Sequence, residues 1–230
     1  MKKKILCTIC IRSGSKGVKN KNIKKINGKP LVYYSINIAK KSNLFSNIIV
    51  SSDSPRYLNL SKKFGATDLV ERPKKLAKDQ SGKIVVIKHA LKFMEKKYKT
   101  IFDYIIDLDA TSPLRNVQDI KGAFKKFINT RSSNLFSVTK SHRSPYFNMV
   151  EIKGSKVFLI KKTQREYLRR QDTPKTYDLN ASIYIWRRDS LLKNKSLFQK
   201  ATNIYVMPKS RSLDIDEELD FKIVSRLLKK

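Results

Sequence analysis

What most restricts the fold of this chain is a short apolar run that breaks into a loop of glycines and lysines. Residues 5–11 read ILCTICI and residues 12–22 read RSGSKGVKNKN. An unbroken apolar and β-branched run of this length suits a strand covered on both faces, as in a parallel sheet sandwiched by helices. The loop after such a strand lies where open α/β sheets place their ligands. Gly14 and Gly17 permit close backbone approach and inward-turned N–H groups, with Ser15 between them, and Arg12, Lys16 and Lys21 add positive charge. Neither GxxxxGK[ST] nor GxGxxG is present, so the pattern predicts a phosphate cradle of another kind. The competing reading is a surface turn in a Lys-rich chain.

The rest of the chain alternates in the same way. LVYYSINIAKKS (31–42) has helical periodicity, NIIVSSD (47–53) reads as a strand, and PRYLNLSKKF (55–64) as a helix stopped by Gly65. A helix is predicted from Asp79 to Tyr98, with Ile84, Ile87, Ala90, Leu91 and Met94 on one face. FDYIIDLD (102–109) is a buried strand ending in acids, Asn116 to Asn129 a helix, and NLFSVTK (134–140) a strand. ASIYIWR (181–187) and NIYVMP (203–208) are further strands. ELDFKIVSRLLKK is a terminal amphipathic helix with Leu219, Ile223, Val224 and Leu227 as its apolar stripe. This order predicts a three-layer α/β fold of Rossmann-like type, with a mixed, mostly parallel sheet, as a single domain over 1–230. Residues 141–176 break the rhythm. FNMVEIK and KVFLIKK flank Gly154 like a hairpin, and the basic stretch QREYLRRQDTPK follows, so the segment reads as an excursion from the main sheet.

Composition narrows the class. The chain has 230 residues, of which 40% are hydrophobic, enough for one packed core. MKKKILCTICI has the charge and apolar run of a signal peptide, but the run is cut short at Arg12 and lacks a small-residue cleavage site. No stretch approaches a membrane span. Cys7 and Cys10 fall on opposite faces of the first strand and cannot easily pair, which fits a reducing cytoplasm. The formal net charge is +32, yet the lysines are scattered along the chain, and Asn and Ile are abundant too. That pattern fits compositional bias on a solvated surface. An electrostatic funnel for anions and polynucleotide binding are the alternatives.

Other segments carry candidate chemistry. In LDIDEELD (213–220), Asp214 and Asp216 alternate with apolar residues, so an extended chain turns both carboxylates one way. That donor pair suits Mg²⁺ completed by phosphate oxygens. Glu217 and Glu218 read instead as acids favoured by the N-terminus of the last helix. DLDATSPLR (107–115) brings Asp109, Thr111 and Ser112 to the functional end of a strand, and Arg115 either binds an anion or braces the loop. Arg169, Arg170, Gln171, Tyr177 and Asn180 form a polar group in which an arginine could bind a carboxylate in a planar, two-point way, or simply face solvent. His89 and His142 have no matching partners. No Ser/His/Asp arrangement points to a covalent nucleophile.

Taken together and in order, IRSGSKGVKNKNI, GKPL, IIVSSD, FGA, ERP, TSPLR, NASIYI and SLDIDEELDF resemble the CMP-sialic acid synthetases, or acylneuraminate cytidylyltransferases, over almost the whole chain. The resemblance implies transfer of CMP from CTP to the anomeric hydroxyl of an acidic nine-carbon sugar. It implies that Arg12, Lys16 and Lys21 handle the triphosphate, supported by Gly14, Ser15 and Gly17. Asn22 would contact the nucleoside, and Arg72 would lie near the cytosine. Asp214 and Asp216 would carry Mg²⁺. Asp109, Thr111, Ser112, Arg170, Gln171, Tyr177 and Asn180 would face the sugar. The 141–176 excursion would be a dimerisation arm reaching into a second subunit, making a cytoplasmic homodimer with no nucleic-acid or membrane partner. Departures from the pattern lie on the sugar side. Asp109-Ala110 stand where many such enzymes have Gln-Pro, and Gly82 falls near a serine position. DLDATSPLR with RRQDTPKTYDLNASIYI looks more like the branch acting on legionaminic acid, a diacetamido-trideoxy nonulosonic acid, than that acting on N-acetylneuraminic acid. A pseudaminic acid or Kdo synthetase is the alternative among enzymes, and a basic, non-catalytic nucleic-acid-binding protein the alternative outside them.

Overall fold

The computed structural model describes residues 3–77, 82–164 and 166–229. β1 (Ile5–Cys10) leads through the loop and two short strands, β2 (Lys25–Ile26) and β3 (Lys29–Pro30), into α1 (Leu31–Ser42). β4 (Asn47–Ser52), α2 (Pro55–Lys63), β5 (Asp68–Glu71), α3 (Lys83–Tyr98), β6 (Tyr104–Leu108), α4 (Val117–Asn129) and β7 (Asn134–Lys140) continue the alternation. β8 (Val150–Lys153) and β9 (Lys156–Leu159) pair only with each other, around Gly154 at φ 63°. β10 (Tyr177–Arg187), α5 (Arg188–Lys193), β11 (Thr202–Val206) and α6 (Glu218–Leu227) follow.

The main sheet has seven strands in the order β11-β7-β10-β6-β1-β4-β5. β10 pairs antiparallel with both β6 and β7, while the β1–β4, β1–β6, β4–β5 and β11–β7 pairings are parallel. The chain therefore winds outward from β1 through β4 to β5, crosses back along α3, and enters β6 on the other side of β1. This reversal opens a crevice beyond the ends of β1 and β6, where a sheet of this kind binds its ligand. The fold is the expected three-layer, mostly parallel α/β architecture.

Burial on both faces explains why β1 has no polar alternation. Ile5, Cys7, Ile9 and Ile11 pack with α1, α2 and α4, whereas Leu6 packs with α3 and α5 beside Cys10. The two thiols thus face opposite layers, and both are free. Helix starts follow local chemistry. The Ser54 hydroxyl accepts from Tyr57 N ahead of Pro55, and Asn116 with Asp119 forms a reciprocal capping box on α4. A third, smaller core joins Val18 of the loop, Ile26, Leu31, Ile215, Phe221 and Val224. It clamps the glycine-lysine loop to the chain before α6.

Some elements differ from expectation. The predicted start of the third helix at Asp79 lies outside the described residues, and the described helix runs Lys83–Tyr98. β5 has no counterpart in the sequence reading, because four residues that begin with Asp and end with Glu carry little strand signal. β10 begins at Tyr177, four residues before the expected 181. On α6 the inward residues are Phe221 and Val224, while Leu219, Ile223 and Leu227 are exposed. Val224 belongs to the expected stripe and Phe221 does not; the position of Ile215 and Val18 decides which residues face in. No described helix is long and apolar enough to cross a membrane.

Candidate active site

The crevice holds a cavity of about 390 Å³ lined by Cys10, Arg12, Ser15, Lys16, Gly17, Lys21, Asn22, Arg72, Lys83, Val86, Asp109, Ala110, Thr111 and Asp216. The structure thereby gathers ten of the predicted residues from four separate stretches of chain.

The loop is held at several points. Ser13 donates from N and Oγ to Asp53, at 3.0 and 2.6 Å. Burial raises the Asp53 pKa, but these bonds outweigh it and leave the group below the usual carboxylate range. Buried Asn22 donates to the Arg12 carbonyl at 3.0 Å and closes the loop on itself. The need for glycine is unequal. A Cβ at Gly17 would run into the Asp216 carbonyl, whereas one at Gly14 would meet nothing within 4 Å. Gly14 is also absent from the cavity wall. Close backbone approach thus applies to Gly17 alone, and its neighbour is the chain itself.

That contact brings the acidic segment to the loop. Lys21 Nζ donates to the Ile215 carbonyl and lies 3.2 Å from Asp216 Oδ1. Ile215 N donates to the Thr111 carbonyl at 2.9 Å, tying the same segment to the loop after β6. Asp214 turns inward. Burial pushes its pKa up to about 6, the charges of Asp109 and Asp216 add to that push, and Thr111 and Lys21 oppose it. Among the described residues its Oδ1 is buried with no hydrogen-bond partner. An orphaned carboxylate oxygen, crowded by other carboxylates, fits a hard divalent cation. Among the described residues no group of three or more His, Cys, Asp or Glu could hold a metal. The protein would supply two carboxylates, and phosphate oxygens and water would complete the shell.

The two buried arginines brace the walls. Arg72 donates to the Ile11 carbonyl at 3.0 Å and the Ser51 carbonyl at 2.8 Å, joining the ends of β1 and β4 while lining the cavity. Arg115 donates to the Ser182 carbonyl at 2.6 Å, to Ser35 Oγ and to the Asp109 carbonyl. Its burial lowers its pKa to about 10. The sequence left open whether Arg115 binds an anion or supports the loop; its contacts are those of a brace.

Sequence reasoning missed Lys83, which opens α3 and lines the cavity. Its Nζ donates to Asp109 Oδ2 and lies 3.2 Å from Asp107 Oδ2. The available signal was Asp107 itself, since a carboxylate inside a buried strand demands a partner.

The remaining predicted sugar-side residues are not in this cavity. Arg170 lines a neighbouring depression with Lys140, His142 and Lys209, and donates to the His142 carbonyl. Gln171 lines an adjoining one. Tyr177 pairs with Lys140 at the start of β10. Asn180 is buried and turned inward. It accepts from Ser137 at 2.7 Å and donates to Ser212 Oγ at 3.0 Å. Ser112 is fully buried, and among the described residues its Oγ has no partner.

A mostly parallel α/β sheet with a basic loop and acidic side chains at its switch point is the architecture of nucleotide-handling enzymes. A family model described as cytidylyltransferase matches residues 6–227, and the chain belongs to that family. It is 48% identical over 224 residues to a CMP-N,N'-diacetyllegionaminic acid synthase of Campylobacter jejuni subsp. jejuni, covering 97% of this chain and 94% of that protein. It is 47% identical over 225 residues to a post-translational flagellin modification protein B of Campylobacter coli, covering 98% and 95%. Similarity to an N-acylneuraminate cytidylyltransferase of Escherichia coli O18:K1:H7 is 32% over 231 residues, covering 100% and 53%. Among solved structures, a CMP:2-keto-3-deoxy-manno-octonic acid synthetase complexed with CTP superposes with a TM-score of 0.72 at 16% identity, covering 98% of each chain. That likeness concerns the fold. The chain is a nucleotidyltransferase of the cytidylyltransferase family.

Proposed function

We propose that this enzyme transfers CMP from CTP to the anomeric hydroxyl of a nonulosonic acid, a legionaminic-type sugar in preference to N-acetylneuraminic acid, and releases pyrophosphate. The observation that carries the proposal is the single cavity in which Arg12, Lys16 and Lys21 meet Asp109 and Asp216 at the β1/β6 switch point. Similarity of 48% to a CMP-N,N'-diacetyllegionaminic acid synthase, against 32% to the N-acylneuraminate enzyme, favours the legionaminic branch. Membership of an enzyme family is the reason a catalytic reading is preferred to nucleic-acid binding.

The sugar hydroxyl attacks the α-phosphorus of CTP in line, the bond to the bridging oxygen breaks, and the hydroxyl proton is lost to solvent. Arg12, Lys16 and Lys21 neutralise the triphosphate and favour departure of pyrophosphate. Asn22 and Arg72 shape the nucleoside end. Asp109 and Thr111 form the wall toward the sugar, with Ser112 buried behind them. Asp214 and Asp216 would hold Mg²⁺, which would supply charge stabilisation to the phosphates. Residues 141–176 act as an arm within one domain spanning 1–230, bringing Arg170 and Gln171 to the sugar site of a second copy in a cytoplasmic homodimer. Exposed apolar side chains on the hairpin support that reading, among them Ile152 at 73% and Val157 at 62% exposure.

Pyrophosphate release tests the reaction. It is expected from CTP but not from ATP, GTP or UTP, and only with an acidic sugar present. Diacetyllegionaminate is expected to be the preferred acceptor over N-acetylneuraminate, pseudaminate and Kdo. Preference for pseudaminate or Kdo would move the enzyme to another branch.

A further inference from the structure

Lys83 and Asp109 line the cavity with Asp107 buried beneath them, and the reaction just described gives Lys83 and Asp107 no role. Asp107 is fully buried, and its two oxygens are spoken for: Oδ1 accepts from Thr8 Oγ1 at 2.6 Å, and Oδ2 lies 3.2 Å from Lys83 Nζ. Asp107 is thus an anchor, tied to β1 and unable to reach a ligand. Lys83 spans from that anchor to the Asp109 carboxylate, with its ammonium 4.3 Å from the centre of the Tyr184 ring. The Asp109 backbone is fixed as well. Its N donates to the Ser182 carbonyl at 3.1 Å, and its carbonyl accepts from Ser35 Oγ at 2.9 Å and from Arg115. Main chain and carboxylate of Asp109 are therefore held by different groups, and Lys83 holds the carboxylate.

We propose that Lys83 is a specificity-determining positioning residue, which uses Asp107 as an anchor to hold Asp109 as a charged hydrogen-bond acceptor facing a neutral N–H or O–H donor of the acidic sugar. The inference rests on the reading that Asp109 faces the sugar. Charge distribution supports it. Burial raises the Asp109 pKa and Asp107 adds to the rise, while the Lys83 ammonium bonded to its carboxylate and the nearby Arg115 oppose it and favour the ionised form. An ionised carboxylate only accepts hydrogen bonds. It would repel the sugar's own carboxylate and the triphosphate, and it would welcome a hydroxyl or amide N–H. The cavity is then polarised, with Arg12, Lys16 and Lys21 toward phosphate and Asp109 toward uncharged donor groups. Such a site rejects an analogue lacking the donor, because the carboxylate would be left unpaired.

Steady-state kinetics of the full-length enzyme, with each substrate varied at saturating co-substrate, tests this. Lys83→Met is expected to raise the sugar KM by about 10- to 100-fold, the scale of a lost charge-assisted hydrogen bond. The kcat and the CTP KM should stay within about threefold, since uniform binding is what is lost. Lys83→Arg should restore the sugar KM to within about fivefold. Asp109→Asn should match Lys83→Met, and the double variant should add no more than about twofold, because the two residues act as one unit. Lys83→Gln retains a donor without the charge. It keeps the test open if Lys83→Met does not fold, with an intermediate rise in the sugar KM expected. A wild-type sugar KM in Lys83→Met or Lys83→Gln, alongside a raised one in Asp109→Asn, overturns the positioning role and leaves Asp109 on the sugar side. An unchanged sugar KM in Asp109→Asn overturns the reading of Asp109 itself. A rise confined to the CTP KM assigns the cluster to the nucleotide and overturns the proposal.

Discussion

Arg211 forks onto Asp119. Its Nε and Nη2 donate to the two carboxylate oxygens at 2.8 and 2.9 Å, and Asp119 is fully buried. The same carboxylate caps α4 by accepting from Asn116 N at 3.0 Å. One residue thus fastens a helix start to the stretch of chain that leads into Asp214 and Asp216. Arg211→Met leaves a buried carboxylate without its cation and is expected to cost about 3 kcal/mol. In a chain of this size that lowers the melting temperature by roughly 10 °C. Arg211→Lys keeps the charge but not the fork and should lie between the two. Thermal melts of the three proteins check the order.

The two glycines of the first loop should respond differently to one methyl group. At Gly17 the methyl meets the Asp216 carbonyl, so either the loop or the acidic segment must move. Gly17→Ala is expected to reduce kcat/KM for CTP by about 100-fold, since a misplacement near 1 Å can cost that much. At Gly14 the space is open, and Gly14→Ala should stay within about twofold of wild type. Equal effects at both positions would show that Gly17 is not packed against Asp216.

The contrast shows what the sequence could and could not disclose. β1, its loop and the alternation of elements were legible because burial on two faces leaves an unbroken apolar run. Alternation with Leu213 and Ile215 drew attention to Asp214 and Asp216, but the structure turns Asp214 inward and leaves Asp216 exposed at the cavity wall. Lys83 was not, because a lysine at the start of a helix looks like every other lysine in a chain carrying 51 Lys and Arg. What distinguishes it is the depth of Asp107, a property of the sheet. Asn180 misled for the opposite reason. Asn beside a strand reads as available, yet Ser137 and Ser212 occupy it. Of the expected α6 stripe only Val224 faces inward, because Leu219, Ile223 and Leu227 have as good a helical spacing as the buried Phe221.

The β8–β9 hairpin should govern association. Val150, Ile152 and Val157 are exposed, and Ile152 sits directly across from Val157 in the pair. A patch of this kind on a two-stranded ribbon is the sort of surface that a second copy covers. Sedimentation is expected to show a dimer for the wild type and a monomer for Ile152→Lys with Val157→Lys. If Arg170 and Gln171 serve the neighbouring site, the monomer should bind CTP normally and show a raised sugar KM. A double variant that remains dimeric would remove the arm from the interface.

Asp214 should make the protein more stable in acid without metal and more active with it. Its folded-state pKa is raised to about 6, first by burial and then by Asp109 and Asp216, against an ordinary value near 3.9. A raised carboxylate favours folding while protonated. Its contribution is therefore full below pH of about 4 and is lost as pH climbs through about 6. At pH 7.5 the metal-free protein carries a cost of about 2–3 kcal/mol from this one group. Asp214→Asn should remove most of that cost and raise the melting temperature in EDTA by roughly 5 °C. Mg²⁺ should stabilise the wild type but not the variant, because a cation competes with the proton for the same oxygens. Activity of the wild type should fall as pH drops through about 6, and the fall should move to lower pH as Mg²⁺ is raised. Asp214→Asn is expected to lose at least about 100-fold in kcat, the scale of losing one electrostatic stabiliser in a water-excluded site. Melts from pH 4 to 8, with EDTA or with Mg²⁺, measure both halves. A variant no more stable than wild type in EDTA, or a wild type indifferent to Mg²⁺, would separate Asp214 from the metal.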